Sequence, residues 1–310
     1  MRVGVVILPE HRWPEAAERW RRAEALGFDH AWTYDHLAWR ELRDSSWFAS
    51  VPTLAAAALS TTTIRLGTLV ASPNFRHPVP FGRELITLDD LSGGRVTVGI
   101  GSGSQGWDAT MLGQDAWSPA ERADRFAEFV DLLDRLLRHR EVSFAGRYWS
   151  ANEARSHPGC VQEPRIPFAV AATGRRSMRV VARHGSIWVT NGDRSHRGAA
   201  LGPEQGAAVV ARQLRLLEEV CAEEGRDAAT VDRLVQTGPR LDAGLSSPAR
   251  FAEVKEAYAA VGVTDLVVHW PRPTDPYAGD ESIMERIAGR ARSVTPTTLS
   301  RGLRTGPGRG

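Results

Sequence analysis

The sequence predicts a closed α/β barrel of eight parallel strands, a (β/α)8 TIM barrel, and three observations carry that expectation. Short apolar runs alternate with helix-patterned stretches along the chain. Eight such units fill roughly 290 residues, the size of one barrel of this kind. The runs do not alternate polar with apolar residues, which is what strands covered on both faces show. An open, doubly wound sheet of six or seven strands is the rival architecture.

The first unit is an apolar run at residues 3–8 and a helix with Pro14 in its first turn. Ala16, Trp20 and Ala23 lie on one face of that helix and Gly27 stops it. The second joins residues 30–34 to a helix carrying Val51, Leu54, Ala55 and Ala58, and the third joins residues 64–70 to Phe81, Leu85 and Leu88. The fourth run, 96–100, waits until Pro119 for its helix, where Phe126, Phe129, Val130, Leu133, Leu136 and Leu137 recur at helical spacing. Residues 168–172 with a helix over 178–182 make the fifth unit. In the sixth, residues 187–189 lead through a glycine-bearing loop to a helix from Pro203 with Val210, Leu214, Leu217 and Cys221. A weaker run near 234–241 precedes a helix with Ser247 as N-cap, Pro248 in the first turn and Phe251, Val254, Tyr258 and Val261 inside. Residues 266–270 and 283–287 complete the eighth. The stretch at about 141–167 breaks the rhythm and is expected as an insertion over the barrel mouth between units four and five. A single domain is expected over 1–292. The remainder, 293–310, rich in Thr, Gly, Pro and Arg, is expected as a disordered tail.

Composition removes several classes. With 310 residues, 42% of them hydrophobic and 25% charged, the chain is neither disordered nor a disulfide-stapled miniprotein. No run reaches the roughly 18 apolar residues of a membrane span, and the apolar run near the start is too short for a signal peptide, so a cytoplasmic protein with no membrane partner is expected. Cys160 and Cys221 are far apart and form no redox or zinc motif. The formal charge is +2, but Arg301, Arg304 and Arg309 stand in a stretch without acids; without them 36 basic residues face 37 acidic ones. Nucleic acid is therefore not an expected partner.

In a barrel the chemistry sits where strands end. Strand two ends in Tyr34, Asp35 and His36, where a carboxylate adjoins an imidazole suited to proton transfer near neutral pH. Strand four runs into Gly101, Ser102, Gly103, Ser104, Gln105 and Gly106, which matches G-x-G-x-x-G. A dinucleotide site would need a helix opening at the third glycine and an acid about 20 residues on, so the glycines are read as close backbone approach to a flat ligand or a phosphate, or as a tight turn. Strand five ends in Ala172, Thr173, Gly174, Arg175 and Arg176. Backbone N–H groups at a helix start, with two guanidiniums beside them, make an anion site. No metal-ligand spacing and no G-x-S-x-G elbow occurs.

These strand ends resemble the bacterial luciferase-like superfamily of flavin- and deazaflavin (coenzyme F420)-dependent oxidoreductases. The carrying pieces are residues 23–29 (AEALGFD) before Trp32 and Asp35-His36, 64–68 (IRLGT), Arg76-His77-Pro78, and 91–95 (LSGGR) leading into 99–103 (GIGSG). Residues 144–148 (FAGRY) and 182–185 (ARHG) before Trp188 follow in order. The resemblance implies a barrel binding F420, or alternatively FMN, at the strand ends, with hydride transfer to a small-molecule substrate in the first case. In the second it implies a monooxygenase using O2 and reduced flavin from a separate reductase. It implies that His36 lies near cofactor and substrate with Asp35 orienting it, and that the bond between Leu69 and Val70 is a cis peptide supporting the ring. Gly101, Ser102 and Gly103 are expected to bind the cofactor, while the turn at Ala172, Thr173, Gly174, Arg175 and Arg176 would take its phosphate. Homodimers are usual among proteins this one resembles. Some F420-dependent sugar-phosphate dehydrogenases of the family carry a carboxylate where this chain has Ser104, and a tryptophan slightly further from the histidine than Trp39 is, which argues against such a substrate. Trp13, Trp32, Trp39, Trp47, Trp107 and Trp117 are many aromatics for loops near the mouth and suggest a flat apolar one, with core packing the expected role of most of them. A barrel that holds a cofactor without turnover is the reading from a different class.

Overall fold

The computed structural model describes residues 1–291, the last three by their backbone alone; the tail expected at 293–310 lies outside the described residues. In chain order the elements are β1 (Arg2–Val6), α1 (Trp13–Leu26), β2 (His30–Thr33), α2 (Ser50–Ser60), β3 (Arg65–Ala71), α3 (Pro78–Ser92), β4 (Val96–Ile100) and α4 (Pro119–Arg138). They continue with β5 (Glu141–Ala145), β6 (Ser150–Arg155), β7 (Phe168–Ala171), α5 (Arg175–His184), β8 (Ile187–Thr190), α6 (Pro203–Glu223), β9 (Asp232–Gln236), α7 (Pro248–Ala260), β10 (Asp265–His269) and α8 (Ser282–Ala291). Eight strands pair in parallel and close a barrel in the order β1-β10-β9-β8-β7-β4-β3-β2, the last seam set by Val3 opposite Leu266 and Val5 opposite Val268. The open-sheet rival is thereby set aside.

The unbroken apolar runs have a simple physical origin. Along each strand, successive side chains point alternately outward to the helices and inward to the barrel axis, and both directions are dry. Val5, Val98, Val170 and Val268 join the large outer core, whereas Val6, Leu69, Ala169, Val189 and Val267 fill the interior. Pro at the first turn recurs in α1, α3, α4, α6 and α7, and Ser118 and Ser247 cap two of these helices by accepting from the N–H groups of Glu121 and Arg250. No helix of the described residues is long and apolar enough to cross a membrane.

The closed end of the barrel is locked by a buried polar cluster. Trp32 Nε1 donates to His30 Nδ1 at 2.7 Å, His30 Nε2 meets Asp265 at 3.0 Å, and Arg2 meets the same carboxylate at 2.6 Å. Glycine is required at position 4, where a Cβ would stand 1.9 Å from His30 Nδ1. A second lock joins α1 to the start of β3: Glu24 accepts from the N–H groups of Thr62 (2.8 Å), Thr63 (2.6 Å) and Ile64 (3.0 Å). Partial burial pushes its carboxyl up, but the N–H donors outweigh that and hold its pKa at about 2. Because the folded pKa lies below the ordinary value, the stabilisation is complete above about pH 4.5 and is lost as pH falls towards 2. Glu24→Gln is expected to lower the urea midpoint at pH 7, with the gap to wild type narrowing between pH 4.5 and 2.5; a constant gap would remove the carboxylate's charge from the account.

The stretch at 141–167 sits elsewhere than expected. β5 and β6 form an antiparallel hairpin, Glu141 opposite Arg155 and Ala145 opposite Ser150, that packs on the outer face of α3 and α4. Trp149 is the reason: its ring meets Phe129 and His77 edge-on at 5.7 and 5.3 Å, and its Nε1 donates to the Arg125 carbonyl at 3.0 Å. Glu128 accepts from the N–H groups of Tyr148 and Trp149 at the hairpin tip, and the return segment is tied to buried Asp89 through the N–H of Val161 at 2.7 Å. None of these residues lines the barrel mouth.

Candidate active site

The carboxyl ends of the strands open into a cavity of about 670 Å3. On its wall β3 ends irregularly. The Leu69–Val70 peptide is cis, the pairing with β4 shifts between Thr68 and Ala71, and both Leu69 and Val70 face the cavity. This course of β3 explains the glycines opposite it. A Cβ on Gly99 would stand 2.0 Å from the Thr68 carbonyl oxygen, and one on Gly101 would stand 2.8 Å from Val70 Cγ2. Gly103, at φ 73°, wraps the Asn74 side chain, whose Nδ2 donates to the Ser104 carbonyl at 3.0 Å. Two glycines of the apparent dinucleotide fingerprint, Gly101 and Gly103, thus answer to packing against Val70 and Asn74, and they leave a side-chain-poor wall.

His36 stands on the cavity with its ring one-quarter exposed. Its partner is Asp108, which reaches Nδ1 from the β4–α4 loop. The other Asp108 oxygen accepts from the N–H of Leu37 at 2.6 Å. A carboxylate that only accepts fixes Nδ1 as the donor and leaves Nε2 as the nitrogen free to exchange a proton with a ligand. Trp47 Nε1 donates to the His36 carbonyl at 2.8 Å and holds the backbone in place.

Beside it, with the Tyr34 ring edge-on to His36 at 5.9 Å, lies a buried polar floor. Tyr34 Oη meets His269 Nε2 at 2.8 Å and Tyr277 Oη at 3.0 Å, and accepts from Gln236 Nε2 at 2.7 Å. The His269 and Tyr277 rings stack at 3.6 Å. Burial pushes His269 down to about 3 and Tyr277 up to about 12, so near neutral pH the floor is uncharged. Trp39 stacks on both Tyr277 and Trp47 and supplies a flat apolar side to the cavity.

The site residues expected from the sequence divide into two groups. His36, Leu69, Val70, Gly101, Ser102, Gly103, Ala172 and Thr173 share the one cavity, while Asp35, Gly174, Arg175 and Arg176 do not line it. Asp35 does not orient His36: its buried carboxylate points away to Arg76, at 2.7 and 2.8 Å, and to Ser50. Arg175 turns outward to Glu219 and Glu223 on α6, and Arg176 to Asp124 on α4, because the first turn of α5 presents these long side chains to its helix neighbours. The amino end of α5 nevertheless faces the cavity through Thr173 and Ser177, and no side chain caps it. Sequence reasoning missed Asp108, Tyr277, His269 and the arginines Arg40, Arg194 and Arg240. For Asp108 a signal existed: a lone acid beside Trp107 directly after the glycine run.

Comparison with known proteins fits this arrangement to a family. A model of luciferase-like monooxygenases matches residues 1–258. The chain belongs to that family. Among its curated relatives, an F420-dependent glucose-6-phosphate dehydrogenase of Beutenbergia cavernae is 36% identical over 165 residues, 53% of this chain and 48% of that protein. The 4-hydroxyprotoasukamycin monooxygenase of Streptomyces nodosus subsp. asukaensis is 31% identical over 195 residues, 59% of this chain and 50% of that one. The matched part thus spans about half the length of these relatives. Among solved structures, the coenzyme F420 dependent tetrahydromethanopterin reductase from Methanopyrus kandleri superposes over 93% of this chain and 97% of its own with a TM-score of 0.72 at 19% identity, which shows the family's barrel fold.

Proposed function

We propose that the protein is an oxidoreductase that uses coenzyme F420 to move a hydride to or from a small organic substrate. The observation that carries this reading is the His36–Asp108 pair placed beside the flat wall of Leu69, Val70 and Gly101 in one cavity. The F420-dependent relative supports the choice of cofactor. The residues present fit such a group: a flat ring needs a wall free of protruding side chains, and a phosphate needs donors. The uncapped first turn of α5, with its backbone N–H groups and the Thr173 hydroxyl, offers them beside Ser177, whose own hydroxyl donates to the Gly174 carbonyl. Arg175 and Arg176 are not needed for it.

Bound there, F420 supplies two-electron hydride chemistry; the protein supplies position and protons. When an alcohol is oxidised, His36 Nε2 accepts the hydroxyl proton and Asp108 stabilises the resulting imidazolium through Nδ1. In the reverse direction the imidazolium gives the proton back to the forming alkoxide. The neutral floor of Tyr34, Gln236 and Tyr277 orients the polar end of a substrate without adding charge, and Trp39 covers an apolar face.

The test is titration of the protein with F420 and with FMN, followed by tryptophan quenching. F420 is expected to bind the more tightly. Ser177→Glu, which puts an anion at the helix end while suiting the helix dipole, is expected to weaken binding at least about tenfold without lowering the melting temperature. The Streptomyces relative favours the second reading, an FMN-dependent monooxygenase. Preferential FMN binding with substrate-dependent oxygen uptake would establish that reading instead.

A further inference from the structure

The half of the mouth away from Leu69 and Val70 carries charge that the hydride-transfer reading does not use. Arg40 from the loop after β2, Arg194 from the loop after β8 and Arg240 from the loop after β9 all line the cavity. Among the described residues no carboxylate lies within 4.0 Å of any of the three, and Asp108, the one carboxylate on the cavity wall, is engaged by His36. On the outer surface Arg175, Arg176, Arg183 and Arg250 have acidic partners while others, such as Arg212 and Arg215, have none within that distance, so what sets the mouth apart is the gathering of three guanidiniums on one cavity. Burial, and then the positive charges of Arg40, Arg194 and Arg197, lower the pKa of the half-buried Arg240 guanidinium. Arg40 has a left-handed backbone, φ 41°, unusual for a residue with a Cβ, and its guanidinium lies over the Trp39 ring at 5.1 Å. Three like charges gathered from three loops, one of them on a strained backbone, oppose the stability of the free protein; an anionic ligand relieves that repulsion.

The barrel order says which ligand. The flat wall and the α5 amino end belong to the consecutive strands β3, β4 and β7, whereas Arg194 and Arg240 follow β8 and β9, and Arg40 reaches over from β2. On the reading that the cofactor occupies the β3-β4-β7 half, the arginines face the space left for substrate. We propose that Arg40, Arg194 and Arg240 receive a phosphate or carboxylate carried by the substrate, so that the oxidisable or reducible carbon lies between this anchor and His36.

Calorimetric titration with inorganic phosphate at low salt tests this, on the wild type, on the Arg194→Gln/Arg240→Gln double variant and on Arg175→Gln, each with and without saturating F420. Phosphate is expected to bind the wild type. The double variant is expected to lose at least about tenfold in affinity at an unchanged melting temperature, and Arg175→Gln to match the wild type. Saturating F420 is expected to fill the α5 amino end and to leave unchanged the arginine-dependent binding, the part that the double variant has lost. Absence of binding to the wild type, or equal affinity in the double variant, would overturn the proposal. Displacement by F420 of the arginine-dependent binding, so that wild type and double variant become alike, would assign the arginines to the cofactor's phosphate and also overturn it. If F420 itself does not bind, the cofactor reading fails, while the comparison without F420 still decides whether the arginines form an anion receptor.

Discussion

On the proposed function, His36→Ala is expected to lower kcat/KM for F420-linked turnover at least about a hundredfold, the magnitude that follows when a positioned acid-base group is removed. Asp108→Asn gives a smaller fall and a changed pH profile. The amide can no longer stabilise an imidazolium through charge, and it can present its NH2 to Nδ1, which favours the wrong tautomer. The measurement is initial rate against pH for both variants, with F420 affinity followed in parallel. A His36→Ala enzyme of near-normal rate would take the imidazole out of the mechanism. A barrel that merely holds its cofactor would show no rate to lose in either protein.

Arg76→Leu is expected to lower folding stability by about 3–5 kcal/mol, because it leaves the Asp35 carboxylate, only 2% exposed, buried without its cation. Burial lowers the Arg76 pKa, but the contacts with Asp35 and Glu84 outweigh it and the guanidinium ends above its ordinary value, the sign of a strongly held pair. The double variant Asp35→Asn/Arg76→Leu recovers part of the loss, since the uncompensated charge is gone. Urea unfolding of the two proteins checks this. The same experiment separates Asp35 from the chemistry: Asp35→Asn costs stability but leaves the pH profile of turnover to His36 and Asp108. An altered profile would return Asp35 to the site.

The barrel was legible in the sequence because its strands are dry on both sides and its helices announce themselves with proline in the first turn and serine caps. Those signals are local and need no knowledge of neighbours. His36, the cis peptide and the glycine-lined wall came from the resemblance and from position at strand ends. What stayed hidden depends on partners remote in sequence. Trp149 turned the 141–167 hairpin outward because Phe129 and His77 offered it a pocket, and no pattern within the hairpin records that. Arg175 and Arg176 read as an anion site until Glu219, Glu223 and Asp124, on two other helices, claimed them. Asp108 stands 72 residues beyond the histidine it serves, in a loop without periodicity.

The Asp108 carboxylate is bound at once to the His36 ring and to the backbone that follows it, while its own loop forms a wall of the cavity. One segment thus both walls the cavity and orients its base. An excursion of residues 101–118 away from the barrel takes the carboxylate with it, so a mouth opened on that side holds an imidazole with its tautomer unset. A ligand that kept that loop displaced would meet a histidine without its orienting acid.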